Sequence, residues 1–427
     1  MRFKLGKSQS NADASLRYVV RQAYASVPFY RRSWDAAGVS VAGFRGVEDL
    51  PKLPVVTKDE LLAGGLDDRL DSSIRRERLV VRSTSGTSGA PIAVYMTRPE
   101  FRFRQLTLFR AMWRAAGRPF PVTIVEAGAW IPPDGRGEVL VRRMPLVKVV
   151  YISRRLPLGE QVEALRGLRP SILTGCPGSL EMIAAEMRRL EIRPPRPRAV
   201  ITRGEVLHPG VRGLLAEVFG CRVVDFYNAQ EVGNIAWECP DREGTYHVNG
   251  DTCVVEVVDA AGSPLPAGRE GRLVVTNLYN TTMPIIRYAM GDRGTLAPRD
   301  GRACTCGHRG QTLVSLAGRD DDFVVLPDGR AISPRLIDDL FIDACRSLGI
   351  EDPFTRAIRD YQVVQDSPSH LLVRIVAADA PPERLRELLV GNLAALHPEL
   401  LCDVDWVREI EPGEGGKRKR IVSSLRP

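Results

Sequence analysis

Apolar residues near the start of the chain recur at helical spacing, with Leu16, Val19, Val20 and Ala23 forming one stripe. Val27-Pro28-Phe29-Tyr30 is expected to end this helical region, and after Leu53-Pro54 a short helix is expected to start at Thr57 as its N-cap. Over residues 122–293 short β-branched runs alternate with helical stretches: 171–174 and 199–202 read as strands, 180–190 as a helix between them. That alternation predicts an α/β domain with largely parallel strands. Cys253-Val254-Val255-Glu256-Val257-Val258 and Gly271-Arg272-Leu273-Val274-Val275-Thr276 then flank the turn residues Gly262-Ser263-Pro264, the pattern of an antiparallel hairpin.

The charged run Gly318-Arg319-Asp320-Asp321-Asp322 interrupts the periodicity and is read as a boundary between domains spanning 1–317 and 318–427. Beyond it Phe323-Val324-Val325-Leu326 turns through Pro327-Asp328-Gly329. Helices follow over 334–347 and 382–395, with strands at 361–364, 371–376 and, last, 404–407. The fold class expected is therefore α/β: a large multi-subdomain N-terminal α/β domain followed by a small α+β C-terminal domain.

Composition narrows the function classes. With 427 residues, 44% of them hydrophobic, the chain can bury a large core, which excludes a disordered or fibrous protein. No run approaches the roughly 18 apolar residues of a membrane helix, and Met1-Arg2-Phe3-Lys4-Leu5-Gly6-Lys7 leads into polar residues. A cytoplasmic protein without a membrane partner is expected. The net charge of +8 is spread over 60 basic and 52 acidic residues with few aromatics, so a surface tolerant of anionic substrates is expected, not a nucleic-acid interface. Lys417-Arg418-Lys419-Arg420 is the one basic run. Among eight cysteines, Cys176, Cys221, Cys253, Cys345 and Cys402 stand singly as small core residues. Cys304-Thr305-Cys306-Gly307 instead reads as a metal knuckle, given the reducing compartment expected.

Ser83-Thr84-Ser85-Gly86-Thr87-Ser88-Gly89-Ala90-Pro91 concentrates hydroxyls and glycines between apolar stretches, the composition of a backbone that wraps a polyphosphate. Further motifs follow in order: Asp225-Phe226-Tyr227-Asn228-Ala229-Gln230-Glu231, Arg287-Tyr288-Ala289-Met290-Gly291-Asp292, and Gly318-Arg319-Asp320-Asp321-Asp322. Upstream stand Tyr24-Ala25-Ser26-Val27-Pro28-Phe29-Tyr30 and Asp49-Leu50-Pro51-Lys52-Leu53-Pro54. Over nearly its whole length the chain resembles the adenylate-forming enzymes, and most closely the phenylacetate–CoA ligase-like branch.

The resemblance implies ATP-dependent activation of a small carboxylic acid to an acyl-adenylate, then transfer to the thiol of CoA. A carrier protein's phosphopantetheine arm, an amine or a sugar hydroxyl are alternative acceptors, and a non-catalytic nucleotide- or acyl-binding relative is the rival from another class. It implies that Ser85, Gly86, Thr87, Ser88 and Gly89 hold the ATP phosphates, that Tyr227 stacks on adenine beside Asn228, and that Glu231 ligates Mg²⁺. Asp292 would take the ribose hydroxyls, Arg319 would bind near ribose and phosphate, and Glu205 would lie near the acyl pocket. Gln230 departs from the threonine usual in the family, replacing a hydroxyl donor with a longer amide.

Pro412-Gly413-Glu414-Gly415-Gly416-Lys417 has the form of the family's lysine loop, so Lys417 is the implied catalytic lysine on a mobile C-terminal domain hinged at Asp321, with Lys419 its rival. Cys239, His247, Cys304 and Cys306 would form a closed structural zinc site, with His308 as the alternative to His247. Trp130, Phe226 and Met283 hint at an aryl or otherwise apolar acid. A homodimer stays open.

Overall fold

The computed structural model describes residues 9–83, 92–129, 138–298, 303–319, 323–332, 334–350, 357–377, 383–411, 421–423 and 425. These residues fall into two compact units. One comprises the chain up to 205 with 219–290 and 294–316; the other comprises 206–218, 291–293 and 317–427.

In the first unit, helix α1 (Gln9–Ser26) buries Leu16, Val19, Val20 and Ala23, as their spacing requires. The run Val27–Tyr30 does not end the helical region. Pro28 opens α2 (Pro28–Ala36), because its fixed φ and missing N–H suit the first turn of a helix as well as they terminate the one before. Helix α3 (Lys58–Ala63) starts at Thr57 as expected: the Thr57 hydroxyl accepts from Glu60 N at 3.3 Å while the Glu60 carboxylate accepts from Thr57 N at 2.8 Å. The single turn α4 (Leu66–Arg69) follows.

Strands β1 (Val80–Ser83) and β2 (Ala93–Met96) pair antiparallel, Ser83 opposite Ala93, and so bracket residues 84–91. Helix α5 (Arg98–Ala115) is the next element. Twelve strands then build one sheet: β3 (Val122–Ala129), β4 (Val139–Met144), β5 (Val147–Ser153), β6 (Ile172–Gly175), β7 (Ala199–Arg203), β8 (Arg222–Ala229), β9 (Gly233–Cys239), β10 (Arg242–Val248), β11 (Cys253–Val258), β12 (Glu270–Asn277), β13 (Tyr288–Leu296) and β14 (Thr312–Arg319). Their order across the sheet is β11-β12-β13-β14-β10-β9-β8-β7-β6-β3-β5-β4.

The stretch β5-β3-β6-β7-β8 is parallel, as the strand–helix alternation predicts. It is covered by α5 through Ala111, Met112 and Ala115 against Ile124, Ile172, Ile201 and Val224, while α6 (Leu158–Arg166) and α7 (Pro177–Arg189) pack against β3, β5 and β6. The parallel order stops at β8. Gln230, Glu231 and Val232 are too short a connection for a crossover, so β9 returns antiparallel, β10 follows it as a hairpin, and β14 pairs antiparallel with β10 from further along the chain. β4 is an exposed antiparallel edge strand absent from the sequence reading. The β11–β12 hairpin forms with Val254 opposite Thr276.

The second unit holds α8 (Pro209–Phe219, whose last residue belongs to the first unit) and, past residue 317, a β15 (Val324–Val325) and β16 (Ala331–Ile332) hairpin about Pro327-Asp328-Gly329. Helices α9 (Pro334–Arg346) and α10 (Glu383–Ala394) share a core with a four-stranded sheet of β17 (Ile358–Ser367), β18 (His370–Ala377), β19 (Leu401–Trp406) and β20 (Ile421–Ser423) in the order β19-β18-β17-β20. Phe341 of α9 stacks on Tyr361 at 4.4 Å between ring centres. The last strand is therefore not the one near 404–407. β20 adds parallel to β17, and its brevity, with only Ile421 buried behind a basic run, left no periodic signal. No helix among the described residues is long and apolar enough to cross a membrane.

One buried charge holds the first unit together. Arg287, 2% exposed, donates through Nη1 to Leu53 O at 2.5 Å, through Nη2 to Gly262 O at 2.8 Å, and through Nε to Glu256 at 3.2 Å. Burial raises the Glu256 carboxyl above its ordinary range while Arg287 pulls it back. Replacing Arg287 by Met strands that carboxylate and orphans two carbonyls, so Arg287→Met is expected to cost about 3–5 kcal/mol in urea unfolding. A loss under about 1 kcal/mol would refute the staple.

Candidate active site

The hairpin turn between β8 and β9 gathers three of the expected residues. Tyr227 and Asn228 lie in the last turnward residues of β8, and Glu231 sits in the turn itself. Six hydrogen bonds fix that turn and its flanks. Arg104 of α5 donates through Nη1 to the Gln230 carbonyl at 2.7 Å and through Nη2 to the Gln230 side-chain oxygen at 3.2 Å. Tyr279 donates its hydroxyl to Val232 O at 2.9 Å, and Asn277 donates to the same carbonyl at 3.3 Å. Tyr288, next to Arg287, donates to the Glu231 carboxylate at 3.4 Å. Asn234 donates to Asn228 Oδ1 at 2.8 Å.

Gly233 completes the turn at φ +100°, where a Cβ would come within 3.2 Å of the Tyr279 hydroxyl and 3.3 Å of Arg104 Nε. Only glycine fits both the backbone and the space. Because a guanidinium can only donate, the side-chain atom of Gln230 it meets is the oxygen, and the amide nitrogen is not engaged by Arg104. The exchange of a hydroxyl for an amide at this position thus comes with its own clamp.

Glu205 follows β7, and its carboxylate accepts from Gly178 N at 3.2 Å, at the N-terminus of α7 where backbone donors favour a negative charge. Asp292 lies on β13. Phe226 and Met283 are fully buried in core clusters, so neither speaks for the acid. Ser85, Gly86, Thr87, Ser88, Gly89, Trp130, Asp321, Lys417 and Lys419 lie outside the described residues, as does the side chain of Arg319 at the end of β14. Arg104 is a contact of this turn that the sequence reading does not single out, and Tyr288, quoted there within a motif, is given no role. Arg104 is one of several arginines on α5, and nothing in the local pattern singles out the one that turns inward.

A second cluster lies at the far end of β9. The ligand atoms of Cys239, His247, Cys304 and Cys306 all fall within 4.8 Å of one another. Cys239 Sγ is 3.6 Å from Cys304 Sγ, and His247 Nε2 is 3.1 Å from Cys306 Sγ. The Cys304–Cys306 turn is closed by Gly307 N on Cys304 O at 2.7 Å and Cys304 N on His308 O at 2.8 Å. The other ring nitrogen of His247 meets Thr312 Oγ1 at 3.4 Å, the outer contact that fixes a ligating imidazole. His308 does not join this set; it stacks on the His247 ring at 4.2 Å and meets Trp237 edge-on. Burial pushes the Cys239 thiol up to about 12 and the His247 imidazole down to about 4. Three thiols so close cannot ionise together without a cation between them, and three sulfurs with one nitrogen are the donor set of a tetrahedral zinc site.

The fold is that of the adenylate-forming acyl-CoA ligases. A 2-hydroxyisobutyryl-CoA ligase crystallised in its postadenylation state with R3-HIB-AMP superposes with a TM-score of 0.78 at 20% identity, over 97% of this chain and 89% of that one. In sequence the chain resembles the phenylacetate–CoA ligase-like branch, as its motifs imply. It is 29% identical over 325 residues to the phenylacetate-coenzyme A ligase of Thermus thermophilus, covering 75% of this chain and 72% of that protein. It is 26% identical over 377 residues to the one from Aromatoleum evansii, covering 86% and 80%. No protein-family model matches the chain.

If Arg104 clamps Gln230, the two side chains are energetically coupled. In a double-mutant cycle of Arg104→Ala and Gln230→Ala followed by urea unfolding, a coupling of about 1–2 kcal/mol is expected, and strict additivity would show the clamp to be idle.

Proposed function

We propose that this chain is an AMP-forming acid–thiol ligase. A carboxylate oxygen of the acid attacks the α-phosphorus of ATP and pyrophosphate leaves with the bridging electron pair. The CoA thiol then attacks the acyl carbon and AMP departs. The observation that carries this reading is the locked β8–β9 turn, which presents Tyr227 and Glu231 in the fold of adenylate-forming ligases.

We assign residues to the two steps as follows. Tyr227 offers its ring face to the purine next to Asn228, and Asp292 accepts from the ribose hydroxyls. Thr87 and Ser88, with the backbone of Ser85, Gly86 and Gly89, cradle the phosphates, and the Gln230 amide nitrogen adds one donor. Glu231 would hold Mg²⁺, which neutralises phosphate charge when bound. Arg319 lies on the ribose–phosphate side, and Glu205 marks the acyl pocket. Lys417, on the C-terminal domain that we place from 318 onward, sets an ammonium beside the oxygens on which charge builds during adenylation. That domain is the part expected to move between the half-reactions.

Acid-dependent ATP–pyrophosphate exchange and CoA-dependent thioester formation test the reading together. Lys417→Ala is expected to lower exchange by about two to three orders of magnitude while nearly sparing thioester formation from supplied acyl-adenylate. Equal loss in both steps, or a larger exchange defect in Lys419→Ala, would show that the lysine or its role is misassigned. Thioester formed only on a carrier protein would correct the acceptor and leave the first step standing.

We further propose that Cys239, His247, Cys304 and Cys306 hold one structural zinc that takes no part in the chemistry, since protein ligands fill all four positions. Elemental analysis is expected to find one zinc per chain, and Cys304→Ser with Cys306→Ser to lose both the metal and thermal stability. A metal-free preparation as stable as the loaded one would sink the idea.

A further inference from the structure

The parallel strands of the first unit carry a cluster of charge that the assignments above do not use. Arg203, the last residue of β7, pairs through Nη2 with Glu126 of β3 at 2.7 Å, both side chains three-quarters buried. Glu126 stands opposite Tyr151 of β5 in the register. Arg142 of the edge strand β4 lies over the Tyr151 ring at 5.7 Å. Arg82, the residue before Ser83 at the end of β1, lies over the Phe101 ring at 5.0 Å. These residues come from separate strands, and Arg203 is followed directly by Gly204 and Glu205, where the acyl pocket has been placed. In open α/β sheets ligands bind in the crevice outside the carboxyl ends of the strands.

The charges do not balance. Glu126 is matched by Arg203, which leaves Arg82 and Arg142 in excess. Arg203 Nε is also buried with no hydrogen-bond partner among the described residues. Burial first, then the fields of Arg104 and Arg142, push the Arg82 guanidinium below its ordinary range, and Tyr151 and Glu126 offset this only in part. A largely buried guanidinium with a spare donor, as at Arg203, is costly unless an anion meets it, and the planar fork of arginine suits a carboxylate, phosphate or sulfonate. Arg82 and Arg142 are exposed, so the cluster is open to a ligand.

We propose that the acid activated by this enzyme carries a second, anionic group, distal to the carboxyl that is adenylated, and that Arg203 with Arg142 and Arg82 binds it while Glu126 holds Arg203 in place. The proposal rests on the ligase reading. It makes the substrate a dicarboxylate, or a phosphono or sulfo acid, on an aryl or aliphatic frame.

Acid-dependent ATP–pyrophosphate exchange with matched acids tests it: homoterephthalate against phenylacetate, adipate against hexanoate, and phosphonopropionate against valerate. In at least one pair kcat/KM for the member with the second anionic group is expected to exceed that of its monocarboxylate partner by roughly 100-fold or more, because a site built for a polar group rejects the analogue that lacks it. Arg203→Leu is expected to collapse that ratio at least tenfold through the KM for the acid, with the KM for ATP unchanged. Arg142→Gln acts in the same direction and stands in should Arg203→Leu fail to fold. Preference for the monocarboxylate member in every pair overturns the proposal and leaves the ligase reading intact. So does an unchanged ratio in both folded variants, or a rise in the KM for ATP equal for both acids, which would make this a phosphate site of the nucleotide. Exchange with none of the six acids, together with no ATP binding by calorimetry, overturns the ligase reading itself.

Discussion

Arg287 puts a full positive charge into the interior of the first unit, and the neighbouring structure is organised around its donors. Its guanidinium reaches Leu53 ahead of α3, Gly262 in the β11–β12 turn and Glu256 on β11. Its backbone adopts φ +45°, and its own N–H donates to Thr276 Oγ1 at 3.0 Å, so β12 is tied in as well. A left-handed backbone at a large side chain is unfavourable, and a buried cation is more so. Both persist because three separate segments meet at this residue. The next residue, Tyr288, also bridges to Val56 in β fashion and donates to Glu231. The staple and the residue that holds Glu231 are thus consecutive: what fixes Arg287 also aims Tyr288.

The turn that presents Glu231 follows the same economy. A three-residue link forces the sheet to reverse direction, and the reversal is where the candidate residues Tyr227, Asn228 and Glu231 stand together. Each backbone oxygen in the link that would be awkward to leave open is claimed from another element, Gln230 by α5 and Val232 by the segment after β12. α5 is itself fastened there: the buried Glu100 carboxylate caps its first turn through Thr97 and also accepts from Thr281 N at 2.8 Å and Thr282 Oγ1 at 2.6 Å. A shift of α5 would therefore move Arg104 and the turn together.

Much of this was legible in the sequence, for reasons that differ by element. The Leu16 stripe, the Thr57 cap and the β3 to β8 alternation are local signals, and each matches the structure. The Cys239, His247, Cys304 and Cys306 set was readable because few residue types can do that job and their spacing is closed by a turn. Pro28 was misread as a stop because the same ring chemistry ends one helix and begins another. β9 is buried at every position, so it has no alternation to betray its direction, and β20 is too short to have a period. Arg104 and Arg203 escaped because an arginine on a helix or at a strand end reads as a solvated charge. Only the packing of distant segments shows which one turns inward.

β9 connects these observations. It begins at Gly233 beside the Glu231 turn and ends at Cys239 in the cysteine–histidine cluster, and every residue between is buried. Trp237, midway, meets the edges of both His247 and His308. A strand fixed at one end by a crowded glycine turn and at the other by four converging ligands has little freedom to slide. Register slip would carry its whole side-chain set to the wrong face. The cysteine–histidine cluster is therefore placed to anchor the register of β9, and through β9 the position of Glu231.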